Sequence, residues 1–310
     1  MINRNLPAPT ISLLLLICWA QSQEGYAQQR VQYTQYMFSG LLINPAYAGA
    51  EGPLNITLVQ RSQWTGVEGA PSTQTLLAHS LFKEKKMGIG LSVVNDRIGI
   101  HTNLNALANY AYHIPVGHDA YLSLGLQAGI QNRKSDYLSL IGDANNDPRL
   151  HNPQFSHTAF DVGAGIYFRS SNFHVGISAP EIIPQKLRLN DSLTIELGNR
   201  SYFLFSKYRF TLNEKIDLEP STLLKYLPGL PVSADFNLNV IFYDALTAGV
   251  SYRRDESVDL LLKAQITPQL QFGYAYDHPI GQIARVSNGS HEMMLSYLFR
   301  FVRSGIHSPR

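Results

Sequence analysis

The stretch "AYLSLGLQAGI", residues 120–130, sets Leu122, Leu124, Leu126, Ala128 and Ile130 against Tyr121, Ser123, Gly125, Gln127 and Gly129. Successive side chains of a strand point to opposite faces, so this segment has one greasy face and one polar or tiny face. "LQFGYAYD", residues 270–277, does the same, with Leu270, Phe272, Tyr274 and Tyr276 on one side and Gln271, Gly273, Ala275 and Asp277 on the other. In "EMMLSYLFRF", residues 292–301, Met293, Leu295, Tyr297, Phe299 and Phe301 face away from Met294, Ser296, Leu298 and Arg300. Working outward, about fourteen such segments are found, at the lengths a tilted strand needs to cross a hydrocarbon layer. They begin near Leu54, Ser72, Met87, Asn103, Ala120, His157, Asn172, Ser201, Ile216, Val232, Ala245, Ser257, Pro268 and His291.

The connections separate a membrane barrel from a soluble sandwich. With both termini in the periplasm, the inside turns are "KEKK", "PVGHD", "SS", "NEK", "D" and "TP", all short. The three longest connections, roughly 132–156, 180–200 and 278–290, all fall outside. Short periplasmic turns and long extracellular loops are the asymmetry of outer-membrane barrels. Composition agrees. Charged residues are 15% of the 310, below the usual quarter, with 17 Tyr and 14 Phe. A mean hydropathy of -0.10 suits a barrel in which half of each strand faces a polar lumen. The net charge of +2 gives no strong pull on nucleic acid.

The first residues have the layout of a signal peptide over 1–27: Arg4, the short apolar core "ISLLLLICWA" from Ile11, and "GYA" ending at Ala27. Cys18 raises a lipoprotein reading, but Ile17 stands where a small residue is wanted. Cys18 is the sole cysteine, so a chain starting near Gln28 contains none and is stabilised by something other than disulfides.

Two motifs stand outside the strand pattern. "QYMFSGLLINPAYAGA", Gln35 to Ala50, is apolar and aromatic yet broken by Asn44, Pro45, Gly40 and Gly49. It precedes the first strand, which places its start on the periplasmic side. Burying a Leu or aromatic side chain is worth about 1.5–3 kcal/mol, so Tyr36, Phe38, Leu42 and Tyr47 need cover. A fourteen-stranded barrel is wider than its own side chains can fill. A lumenal plug answers both needs; a periplasmic dock for another protein is the alternative. The second motif is "RSQWTGVEGAPSTQTLLAH", Arg61 to His79. Gly66, Gly69 and Pro71 suit a hairpin loop. Arg61 and Gln63 alternate with Ser62 and Trp64, which reads either as a lumenal Arg paired with a carboxylate and Trp64 in an aromatic girdle, or as a rim that a partner touches.

These two motifs, with "GIGLSVVNDRIG" (88–99) and "LNALANYAYHI" (104–114), resemble the PorP/SprF family of outer-membrane proteins, associated with type IX secretion and gliding motility in Bacteroidetes. The first two carry the most specificity. The resemblance implies an all-β transmembrane outer-membrane β-barrel of about 14 antiparallel strands, similar to FadL-type barrels, with an N-terminal plug-like segment. It implies a non-enzymatic role: binding secreted type IX substrates such as surface adhesins, or periplasmic secretion-ring lipoproteins, to support export or surface retention. Besides these partners only outer-membrane lipid is expected, with no nucleic acid. The family-motif residues are Tyr36, Phe38, Leu42, Asn44, Pro45, Tyr47, Gly49, Arg61, Gln63, Trp64, Gly69, Pro71 and Gln74. The expected organisation is a signal peptide over 1–27, a plug or periplasmic segment over 28–53, the barrel over 54–301 and a short tail over 302–310. The alternative function, by analogy of fold alone, is an outer-membrane channel for hydrophobic small molecules. Phe203 and Phe205, on one strand face with Lys207 and Arg209, would line its path or pack against a plug.

Other chemistry finds little support. "GDANNDP", 142–148, spaces Asp143, Asn145 and Asp147 like the opening of a calcium loop, but Pro148 replaces the glycine and no glutamate follows in the loop. The histidines show no tight metal-ligand spacing, no "GxSxG" occurs, and no cofactor signature is present.

Overall fold

The computed structural model describes residues 31–82, 86–136, 154–183, 185–188, 194–198 and 200–299. The calcium-like loop and the signal peptide lie outside the described residues. The alternating segments become β1 (Leu54–Ser62), β2 (Ser72–Phe82), β3 (Met87–Ile98), β4 (His101–Pro115), β5 (Tyr121–Asp136), β6 (Gln154–Arg169) and β7 (Phe173–Glu181). A small separate hairpin follows, β8 (Gln185–Arg188) with β9 (Thr194–Gly198). The main sheet continues as β10 (Ser201–Tyr208), β11 (Phe210–Asn213), β12 (Ile216–Tyr226), β13 (Ser233–Phe242) and β14 (Leu246–Arg253). It ends with β15 (Ser257–Gln265), β16 (Leu270–Pro279) and β17 (Ser290–Phe299). β10 and β11 both pair with β12 and form one crossing interrupted at Arg209, so the sheet makes fourteen crossings. β1 pairs with β17 from Leu54↔Phe299 to Ser62↔His291, which closes the barrel and leaves no open edge.

All the large pairings are antiparallel between neighbours, and the turns show why. At the β13–β14 turn Tyr243 and Asp244 both adopt positive φ (53° and 54°), the mirror-image turn whose twist matches the strands it joins. Leu54 and Phe299 mark the end of the barrel that carries the short turns, hence the periplasmic end. The connections 63–71 and 280–289 and the β8–β9 hairpin lie at the other end.

The outer wall is apolar: Leu126, Phe160, Ile177 and Leu260 each stand more than half exposed. That exposure is costly in water and suits a lipid-facing band. Aromatic pairs mark its two edges. Tyr202 stacks on Tyr226 at 6.0 Å toward the outside, and Tyr297 meets Phe299 at 4.6 Å toward the periplasm. The faces read from the sequence are the observed ones: Phe272 and Leu295 point outward, and Ala275, Asp277, Met294 and Ser296 are buried inside.

Candidate functional site

The lumen is occupied by residues 31–50. The sequence places the start of this segment on the periplasmic side; the structure differs. Tyr33 to Tyr36 sit in the extracellular half, against the outer ends of β1, β16 and β17. The chain then descends through two 3-10 turns, Gly40–Leu42 and Pro45–Tyr47. It reaches the periplasmic end at Gly49, whose N–H donates to His79 Nδ1 at 3.2 Å. Gly52 leads directly into β1 at the periplasmic lip. The short link from Gly49 to Leu54 fixes only the lower end, so the segment runs back up the lumen from it.

Local chemistry builds this path. Asn44 caps the second turn, its Oδ1 accepting from Ala46 N at 2.9 Å, and Pro45 holds the first helical position, where its missing N–H costs nothing. Asn44 Nδ2 also donates to the carbonyl of Ile166 at 3.0 Å, on the lumenal side of β6. Such close approach needs bare backbone. A Cβ on Gly165 would stand 2.1 Å from Asn44 Oδ1, one on Gly125 2.3 Å from Ala46 Cα, and one on Gly88 1.9 Å from the Ala48 carbonyl. The lower half is fixed further by His113, which takes Ser123 Oγ on Nδ1 (2.7 Å) and donates from Nε2 to the Ala48 carbonyl at 2.9 Å. Ser178 Oγ donates to the Ile43 carbonyl at 2.6 Å. With its backbone groups answered in this way, the segment buries Tyr36, Met37, Leu41, Leu42 and Ile43.

The upper half is held by charge. Glu292 is fully buried and its two oxygens accept the backbone N–H groups of Thr34 and Gln35, each at 2.9 Å. Arg61 lies beside it, 3.1 Å from Glu292 and 2.7 Å from Asp277, and donates to Thr34 Oγ1 at 2.9 Å. Thr34 Oγ1 donates in turn to Asp277. The row continues round the lumen: Arg253 stands 3.7 Å from Asp277, 3.8 Å from Asp259 and 3.4 Å from Asp235, and Lys225 closes it 3.0 Å from Asp235. Tyr36 reaches the next wall, accepting from Asn237 and meeting Phe205 edge-on at 5.9 Å. Phe38 lies under the Lys263 ammonium at 4.5 Å.

The motif residues therefore divide into three places. Tyr36, Phe38, Leu42, Asn44, Pro45, Tyr47 and Gly49 are in the lumen, and Arg61 is drawn in with them. Gln63, Trp64, Gly69 and Pro71 form the β1–β2 loop on the outer rim, where Gln63 N donates to the Pro71 carbonyl at 2.9 Å and Gly69 O accepts from Gly99 N at 2.8 Å. Gln74 stands on the outer wall, bonded to Asn95. Glu292, Asp277, Arg253, Asp235 and the glycines under the segment were not among the sequence candidates. Their one signal is that they occupy the inward positions of alternating strands. Among the described residues no group of His, Cys, Asp and Glu is placed to hold a metal ion.

This arrangement places the chain's own residues 31–50 inside the lumen, and the sequence pattern that generates it is shared. Residues 25–297 match the family described as type IX secretion system membrane protein PorP/SprF. The chain belongs to the PorP/SprF family. This PorP/SprF chain is thus an outer-membrane barrel of the type IX secretion system. No curated protein sequence matches it. Among solved structures it is similar to the CymD monoaromatic hydrocarbon channel (13% identity, TM-score 0.51, covering 84% of this chain and 93% of that one). It is also similar to a Pseudomonas aeruginosa FadL homologue (11%, 0.44, 80% and 89%) and to the Acinetobacter baumannii outer membrane protein Omp33 (9%, 0.48, 80% and 98%). At these identities the CymD likeness speaks for the barrel fold alone.

Proposed function

We propose that this PorP/SprF barrel is a non-catalytic docking component of type IX secretion: its wall and rim hold a secreted surface protein or a periplasmic ring lipoprotein, and its lumen stays shut. The observation that carries this reading is the segment 31–50, which fills the lumen while Glu292 and Arg61 grip its backbone and side chains. Such a filling obstructs a solute path, although larger outer-membrane transporters also carry plugs. A scaffold embedded in the membrane needs it, because an unfilled barrel of this size leaks. The outer rim, with the β1–β2 loop and the β8–β9 hairpin, offers the larger surface for a secreted partner. Affinity purification of the tagged barrel from solubilised outer membranes tests the proposal. A co-purifying type IX substrate or ring lipoprotein supports it. A barrel that purifies alone, carries a hydrophobic small molecule and conducts without removal of the segment favours the channel instead.

A further inference from the structure

The strand register lays three rows of outward side chains across five neighbouring strands near the extracellular edge of the wall. The lowest row is Phe272, Leu295, Leu58, Leu76 and Val93. Next comes a row in which three amides, Gln60, Gln74 and Asn95, follow Met293 in register. The top row sets His291, Ser62, Ser72 and Arg97 side by side. The amides are tied to each other and to the row above: Asn95 donates to Gln74 Oε1 at 2.8 Å, and Gln74 donates to Ser72 Oγ at 3.3 Å. Arg97 is exposed and has no ion-pair partner among the described residues. It stands two residues above Asn95 on the same face, about 7 Å away along the strand.

Between the lower two rows lies an open groove of about 420 Å³, floored by Leu58, Leu76, Phe272 and Met293 and lipped by the amides. Its volume falls in the range of small-ligand sites, roughly 300–1,000 Å³. Farther round the wall, on β13, β14 and β15, the outward Phe236, Tyr252 and Val258 stay apolar or aromatic near the strand ends, whereas β5 and β6 carry a second polar edge at Asn132, Ser156 and Thr158.

We propose that this face of β17, β1, β2 and β3 is a specific site for one phosphate-bearing lipid of the outer leaflet. An acyl chain lies in the groove, the amide row meets the ester or amide linkages, and Arg97 takes the phosphate. Three things on the wall argue for a lipid rather than a protein. The groove is continuous with the hydrocarbon band of a membrane barrel. Its polarity rises in the order of a lipid's own parts. Its one cation is unpaired at the height where phosphates begin, and Arg binds phosphate through parallel N–H donors.

Native mass spectrometry of the full-length barrel in non-ionic detergent, with phosphatidylglycerol or neutral diacylglycerol added, tests this site. The expected result is one phosphatidylglycerol retained per barrel. L76W, which fills the groove, lowers retention about tenfold, equivalent to roughly 1.4 kcal/mol. R97Q lowers retention of phosphatidylglycerol but not of diacylglycerol, and Leu204→Trp, outward on β10 at the opposite wall, changes neither. All variants are first checked for heat-modifiable migration, so that only folded barrels are compared. Equal losses in L76W and Leu204→Trp, equal retention of both lipids by the unmodified chain, or a co-purifying protein displaced by L76W would each overturn the proposal.

Discussion

Arg61 on the first barrel strand and Glu292 on the last meet at 3.1 Å, and both bind Thr34 of the lumenal segment. One ion pair therefore does two things. It crosses the seam where the barrel closes, and it clasps the segment that fills the lumen. Both partners are buried, Arg61 at 2% exposure and Glu292 at 0%, so neither is solvated if the other is removed. Removing Arg61 would leave Glu292 buried with no cation beside it, at a cost of about 3–5 kcal/mol, whereas removing Glu292 leaves Arg61 paired with Asp277.

Glu292→Ala should release the upper half of the segment. It removes the acceptor of two backbone N–H groups and leaves Arg61 with Asp277 alone. Limited chymotrypsin digestion of the solubilised barrel reads this directly, since Tyr36 and Phe38 are protected only while they lie in the lumen. Rapid cleavage there in Glu292→Ala, with Glu292→Gln intermediate, is the expected outcome. A segment still protected in Glu292→Ala assigns its retention to packing instead.

Gly125→Val tests the lower half. The added Cβ would stand 2.3 Å from Ala46 Cα, and neither backbone has room to give. Overpacking of this kind costs about 1–3 kcal/mol, while a branched residue in a strand is otherwise favourable. The barrel should fold and the segment should lose protection. Ala128→Val, on the lipid face of the same strand, should change neither.

Leu42→Cys provides a probe inside the lumen. Leu42 is 4% exposed, and the one native cysteine, Cys18, would leave with the leader in a chain processed near Gln28 as proposed. In the folded barrel a water-soluble thiol reagent should label Leu42→Cys far more slowly than a cysteine placed at Tyr243, which is 66% exposed on a periplasmic turn. Equal labelling rates would show the segment out of the lumen.

The amino end of the processed chain should be Gln28 or close to it. Intact-mass measurement of the purified barrel checks this. A lipid-modified Cys18 retained on the chain would instead make the protein a lipoprotein, and its anchored end would then have to reach Thr34 in the extracellular half of the lumen.

The strands were legible because alternation needs nothing beyond nearest neighbours. Leu270, Phe272 and Tyr274 point to lipid and Asp277 to the lumen for a local reason, and the fourteen starts read from the sequence fall within three residues of those observed. The direction of the lumenal segment was not legible. That it climbs to Glu292 depends on a carboxylate more than 250 residues away meeting two particular N–H groups. The inward-facing glycines 125 and 165 look like gaps in a strand until Ala46 and Asn44 fill them. Pairwise register decides which inward charges meet, and alternation alone leaves register open.

Single-channel conductance of the purified barrel in planar bilayers, with and without residues 31–50, tests most directly whether this segment closes the lumen. The account predicts a full-length chain that is silent or nearly so, and a deletion variant, folded by heat-modifiable migration, that conducts through a wide pore. A folded deletion variant as silent as the full chain would contradict it, as would a full-length chain that conducts equally well.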